Sequence, residues 1–215
     1  MLGAPLMLWA ITGCSGSGAS TVAEVWKELG ASVCSLDRTG HRFLEKPRVK
    51  TALQKAAGLP VDSQMPVNEI RTLLRDKAFT EPETLYGVNS VLHPKLRRWV
   101  ASSANSLRST RGVFVLDAAL IFELDLSGYA DFTVTVKDTR KRALERLAKR
   151  DGISRDSAEG RWRNQMEISE KCLKSNFVIN NSGSKDELVN KAELFYSNII
   201  TRMEDAKWHT RPEIS

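Results

Sequence analysis

Three sets of residues in this chain have the types and spacing to do chemistry. They are a glycine-rich run, Gly13-Cys14-Ser15-Gly16-Ser17-Gly18-Ala19-Ser20-Thr21, two carboxylates that close apolar runs, Asp37 and Asp117, and the arginines Arg146, Arg150 and Arg161. The glycine-rich run lies between an apolar stretch, residues 6–11, and an amphipathic stretch that starts at Thr21. Strand, tight turn and helix in that order make a phosphate cradle: backbone N–H groups converge at a helix N-terminus, where the aligned peptide dipoles favour an anion. The spacing meets G-x-x-x-x-G-K-[ST] at every fixed position but one, because Ala19 stands where a lysine would reach the β- and γ-phosphates. Alanine retains its N–H, so the cradle is expected to survive. Loss of one preorganised charge donor typically costs about 10²–10³ in rate, so turnover should suffer more than nucleotide binding.

Phosphoryl transfer needs little beyond positioning and charge stabilisation. Gly13, Gly16, Ser17, Gly18, Ala19, Ser20 and Thr21 would form the cradle for ATP, with the Ser20 hydroxyl on Mg²⁺. Asp117 ends the run Val113-Phe114-Val115-Leu116, where an acid can hold the same Mg²⁺ directly or through water. Asp37 follows a short apolar run and is the candidate base for an alcohol acceptor. Arg146 and Arg150 are four residues apart, hence on one helix face and able to reach one polyphosphate. Each residue also has a plainer role: a helix cap for Asp37, a loop brace for Asp117, a solvated helix face for each arginine.

The positioning elements can be read from periodicity. Val22, Val25, Trp26 and Leu29 fall at i, i+3, i+4 and i+7 with Gly30 as a stop, predicting the first helix. Residues 31–36 read as a second buried strand that delivers Asp37 beyond its carboxyl end, where ligands bind in open α/β sheets. No strand is expected between residues 38 and 111; helical patterns surround a polar break at 58–66, followed by helices over 69–79 and 83–92, with His93-Pro94 opening another. Strands are expected at 113–116, 132–136 and 177–179, and helices at 139–150 and 154–165 around Asp151-Gly152, where a mobile lid is possible. The last helix carries the capping box Ser184-x-x-Glu187 and an apolar face of Leu188, Ala192, Phe195 and Ile199, and the tail from Trp208 is expected to fray.

This alternation predicts an α/β fold of phosphate-loop kinase type: three layers, a parallel five-stranded sheet, a helical substrate-binding insertion and a lid. All of it is expected in one domain, 1–215, with the core at 6–37 and 112–205, the insertion at 38–111 and the lid at about 150–170.

Composition narrows the partners. The chain has 215 residues, 41% hydrophobic and 27% charged, as in ordinary globular domains, and 32 Lys+Arg against 26 Asp+Glu leave a net charge of +6. The basic residues are densest from Arg140 to Lys174, mixed with acids; this fits helices around a small anionic ligand better than a nucleic-acid arm. No nucleic-acid partner and no membrane span are expected, and oligomeric state is not legible. Three cysteines without metal-ligand spacing predict a reducing, cytoplasmic setting. The short N-terminal apolar run lacks a basic n-region and reads as a buried strand, not a signal peptide.

Several motifs in series resemble the dephospho-coenzyme A kinase family, from near Leu8 to about Leu188. They are Ile11-Thr12-Gly13 with Gly16-Ser17-Gly18-x-Ser20-Thr21-Val22-Ala23, Asp37 with Gly40-His41, and Leu92-His93-Pro94. Asp117-x-x-Leu120-Ile121-Phe122-Glu123, Arg146-Leu147-x-x-Arg150-Asp151-Gly152-x-Ser154, Arg161-x-x-x-Gln165-Met166 and Val178-Ile179-Asn180-Asn181-Ser182-Gly183-Ser184 complete the series. The resemblance implies transfer of the γ-phosphoryl group of ATP to the ribose 3′-hydroxyl of dephospho-CoA, the last step of coenzyme A synthesis. It also implies Asp37 as catalytic aspartate, Arg146 and Arg150 facing phosphate, Arg161 on the lid, Asn181 near adenine, and Arg71 and His93 in the acceptor-binding helices. The chain departs from the family pattern at Ser35, where the first acid of an Asp-x-Asp pair is usual, at Ala119 in place of proline, and at Ala19. These departures favour an alternative in which an impaired paralogue binds ATP or CoA without efficient turnover.

Overall fold

The computed structural model describes residues 7–107 and 112–204; Leu6 and the tail from Trp208 lie outside them. Five strands, β1 (Met7–Thr12), β2 (Ser32–Ser35), β3 (Val113–Asp117), β4 (Phe132–Lys137) and β5 (Phe177–Asn180), form one sheet. Their order is β2-β3-β1-β4-β5, and every pairing is parallel. A parallel sheet must be covered on both faces, and β1 shows why it sits in the middle: all six of its residues are buried. Trp9 and Ile11 face one way, into a cluster with Val22 and Trp26 of α1 (Ala19–Glu28) and Leu188 and Ala192 of α9 (Lys185–Glu204). Trp26 fits there because its indole N–H finds the Ala192 carbonyl at 2.9 Å while its ring meets Trp9 edge-on at 5.3 Å.

Ala10 and Leu116 face the other way, against the helices that link β2 to β3. These are α2 (Leu36–Leu44), α3 (Pro47–Ala56), α4 (Val67–Thr80) and α5 (Pro82–Leu107). They form the expected helical insertion, and the helix expected over 69–79 lies within α4. Between β4 and β5 come α6 (Arg140–Asp151), α7 (Arg155–Arg163) and α8 (Ile168–Lys174).

Three expectations are corrected. The helix break expected at His93-Pro94 is absent: α5 runs through Pro94. An interior proline costs about 3 kcal/mol, but Leu96 and Val100 beyond it are buried in the same core that half-buries Val88 and Leu92 before it, so packing holds both halves in line. Gly87 allows this approach, since a Cβ there would lie 2.6 Å from the Ala56 carbonyl oxygen of α3. Asp37 is not a strand-end residue but sits in the first turn of α2, because Ser35 ends β2 and caps that helix by accepting from the Arg38 N–H. The helix α8 lay unread between two expected elements; its single buried residue is a lysine, Lys171, so the segment carries no apolar periodicity to detect.

Candidate active site

The glycine-rich run forms the turn from β1 into α1, and its glycines are required by their neighbours. Gly16 has φ +85° and lies against the Ala143 carbonyl of α6; Gly18 has φ +102°, and a Cβ there would come within 2.5 Å of Asn181 Nδ2. A Cβ at Gly13 would strike the side chain of Ser17. The loop is clamped from three directions. Arg146 Nε donates to the Gly16 carbonyl at 2.9 Å, Asn181 Nδ2 donates to the Ser17 carbonyl at 2.7 Å, and Gln165 accepts from the Ser15 N–H at 2.9 Å while donating to the Ser15 hydroxyl. The Gly16 and Ser17 carbonyls are thus taken up by these donors. Ser17 Oγ is buried against Gly13 with no hydrogen-bond partner among the described residues.

Two cavities open at this end of the sheet. The first, about 900 Å³, is lined by the whole loop from Gly13 to Thr21, by Arg142, Arg146, Lys149 and Arg150 of α6, and by Asn181, Lys185 and Leu188. The second, about 940 Å³, lies under the insertion and is lined by Arg38, His41, Asn68, Arg71, Arg75 and Leu92, with Asp117, Asp151 and Arg161. Ser20, Asp37 and Arg150 line both. A group bound in one cavity therefore meets a group bound in the other at Asp37, with a hydroxyl and a guanidinium beside it.

Electrostatics at the junction follow from burial. Asp117 is 9% exposed, and desolvation pushes its carboxyl up to about 6, with the nearby Asp37 charge adding to the rise and a hydrogen bond with Ser20 opposing it. Ser20, Asp117 and Asp37 offer only hard oxygens, which suits Mg²⁺. Among the described residues no group of three or more His, Cys, Asp or Glu could hold a metal alone. Arg150 is held protonated by the Asp151 carboxylate, which bonds its Nε at 2.7 Å and also pairs with Arg161. Asp151 is correspondingly held below the usual carboxylate range, chiefly by the Arg150 bond. In the second cavity Arg71 Nη2 lies 3.2 Å from His41 Nε2, and burial together with that guanidinium keeps the imidazole pKa low, favouring a neutral acceptor.

The structure brings together Gly13, Gly16, Ser17, Gly18, Ala19, Ser20, Thr21, Asp37, Arg146, Arg150 and Asn181 around the first cavity, and Asp117, Arg71 and Arg161 around the second. Arg161, expected on the lid and at the nucleotide, lines the second cavity, where it pairs with Asp151. His93 is half-buried on α5 and lines neither cavity; its surroundings are Arg97 and Glu123. Sequence reasoning missed Asp138, a buried carboxylate that pairs with both Arg142 and Arg146, and gave no role to Gln165. It also missed Lys171, whose fully buried ammonium bonds the Ala119 carbonyl at 2.6 Å and Glu123 at 2.7 Å and so anchors the segment after β3. The spacing of Arg142, Arg146, Lys149 and Arg150, at i, i+4, i+7 and i+8, was a signal available in the sequence.

The family model for dephospho-CoA kinase matches residues 7–187. A dephospho-CoA kinase of Corynebacterium diphtheriae is 31% identical over 199 residues, covering 90% of this chain and 98% of its own. That of Carboxydothermus hydrogenoformans is 32% identical over 211 residues, covering 94% and 96%. Among solved structures, TT1252 from Thermus thermophilus superposes with a TM-score of 0.70 at 28% identity, covering 91% of this chain and 98% of that one. A dephospho-CoA kinase from Campylobacter jejuni shares the fold, with a TM-score of 0.59 at 22% identity over 90% and 97% of the two chains. With the family model spanning both the loop and the insertion, this chain belongs to the dephospho-CoA kinase family.

Proposed function

We propose that the protein transfers the γ-phosphoryl group of ATP to the ribose 3′-hydroxyl of dephospho-CoA, giving coenzyme A and ADP. The observation that carries this reading is the meeting of two cavities at Ser20, Asp37 and Arg150, because an in-line displacement needs donor and acceptor to approach a single point from two sides. ATP fits the loop-lined cavity, its phosphates on the N–H groups of Gly13–Thr21 and its base towards Asn181 and Leu188. Dephospho-CoA fits the cavity under the insertion, where Arg71 and its neighbours Arg38 and Arg75 face its phosphates. His93, outside both linings, serves the frame of that region.

Asp37 accepts the proton of the 3′-hydroxyl as its oxygen attacks phosphorus; the bond to the β-phosphate oxygen breaks, and its electron pair leaves on ADP. Arg150, kept charged by Asp151, faces the equatorial oxygens where negative charge collects. Arg146 acts on the loop, holding the Gly16 carbonyl away from the phosphates. Mg²⁺ held by Ser20 and Asp117 would neutralise charge between the β- and γ-phosphates. A lid role for α7 is part of the same reading, since its Trp162 packs with Cys14 of the loop and Leu147 of α6. No helix among the described residues is long and apolar enough to cross a membrane.

The test is incubation of the purified protein with Mg-ATP and dephospho-CoA, with coenzyme A scored by mass. Product above a protein-free control is expected. Saturable binding of either ligand without product would replace the kinase reading with one of binding alone.

A further inference from the structure

Ala19 is the first residue of α1 and lines the nucleotide cavity with a methyl group, so the site needs its cation from elsewhere. Helix α6 lies across the loop: a Cβ on Gly16 would meet the Ala143 carbonyl and stand 3.2 Å from Leu147 Cβ. The face of α6 that looks into the cavity carries Arg142, Arg146, Lys149 and Arg150.

Three of these four cations are committed to protein partners. Arg142 bonds the carbonyls of Ser182 and Gly183 and lies 3.7 Å from Asp138. Arg146 is divided between Asp138 and the Gly16 carbonyl. Arg150 is paired with Asp151. Lys149 is exposed and has no hydrogen-bond or ion-pair partner among the described residues. An uncommitted ammonium among like charges, lining the same cavity as the N–H cradle, suits an anion. Lys185, which opens α9 beside Asn181, Gly183 and Leu188, also lines the cavity and is the competing cation. Lys149 adjoins Arg150, whose charge interacts with Asp37 and Asp117 at the junction of the two cavities.

We propose that Lys149, reaching in from α6, supplies the ammonium on the β- and γ-phosphate oxygens that the loop itself lacks at Ala19. This rests on the kinase reading above and deepens it. A lysine suits the task because its flexible four-carbon stem lets a compact charge follow the transferring phosphoryl group.

The experiment compares the unmodified protein with Lys149→Ala, Lys149→Arg, Ala19→Lys, Ala19→Lys/Lys149→Ala and Lys185→Ala in steady-state synthesis of coenzyme A, with ATP titration and thermal melts on each. Lys149→Ala should lower kcat about 10²–10³-fold with a smaller change in ATP affinity and an unchanged melt, as expected of an exposed side chain. Lys149→Arg should keep more activity than Lys149→Ala. Ala19→Lys in the Lys149→Ala background should restore kcat to within about tenfold of the unmodified protein, a rescue that a merely structural lysine would not permit. A Lys149→Ala protein within about threefold of the original, a larger loss in Lys185→Ala, or a double variant no better than Lys149→Ala would each overturn the proposal. An inactive original would overturn it together with the kinase reading, whether or not Ala19→Lys gains activity, whereas an active original that tolerates Lys149→Ala would overturn the proposal alone.

Discussion

The two cavities that meet at Asp37 are built by different means. The proposed nucleotide side is backbone: three glycines have no room for a Cβ, and the loop is pinned by Arg146, Gln165 and Asn181 from three separate segments. The acceptor side is side chains: Arg38 and His41 of α2 and Asn68, Arg71 and Arg75 of α4 project into it from a helical layer. A site made of N–H groups should tolerate a lost side chain, such as the lysine absent at Ala19, but not a change of backbone path. A site made of long cations loses affinity in steps, one residue at a time. Consequences of mutation should divide along that line.

The largest effect is expected where the two sides join. Asp37→Asn should reduce kcat by about 10²–10⁴ and leave the affinities for ATP and dephospho-CoA within about twofold; a fully active variant would remove Asp37 from the mechanism. Gly16→Val comes next. A β-branched residue at φ +85°, against the Ala143 carbonyl, should cost about 1–3 kcal/mol in urea unfolding and abolish ATP binding while sparing dephospho-CoA binding. Equal losses for both ligands would break the separation drawn here. Arg71→Ala should raise KM for dephospho-CoA about 10–100-fold, the value of one charged hydrogen bond, with KM for ATP unchanged.

The smallest effect is one of pH. Asp117 titrates at about 6 in the ligand-free protein against an ordinary value of 3.8, so the native state holds this proton more tightly than the unfolded chain does. Stability therefore falls as pH rises from about 4 to about 6, and the penalty is complete above that. On the proposed reading Mg²⁺ held at Asp117 would compete with the same proton, so its affinity, measured by titration in the presence of ATP, should fall as pH drops below about 6. Asp117→Asn should melt higher than the original at pH 8, by at most about 3 kcal/mol, with the difference fading towards pH 4.

The glycine loop was legible in the sequence because backbone demands leave few residue choices: Gly16 and Gly18 sit at positive φ, and no other residue type takes that path at low cost. The sheet was legible because β1 and β3 are buried on both faces and so read as apolar runs, while β4 alternates Phe and Val with Thr. The acceptor cavity was mostly not. Arg71 entered through family resemblance, while Arg38 and Arg75 look like any solvated helix surface until α2 and α4 are packed. The Lys171–Glu123 pair was hidden for the opposite reason, since a lysine reads as exposed, and only the closed core shows it buried with two acceptors.

By itself the sequence determined that a strand, a glycine turn and a helix would cradle phosphate, that five parallel strands would hold them, and that the loop would lack its lysine. Those are local matters of φ, hydrogen-bond supply and apolar periodicity. Tertiary structure alone decided that α5 would run through Pro94, that Asp37 would open a helix at the meeting of two cavities, and which cations would be paired and which left free. Each of these depends on contacts between segments far apart in the chain, such as Arg146 with the Gly16 carbonyl, and on core packing that can outweigh a local preference for a break.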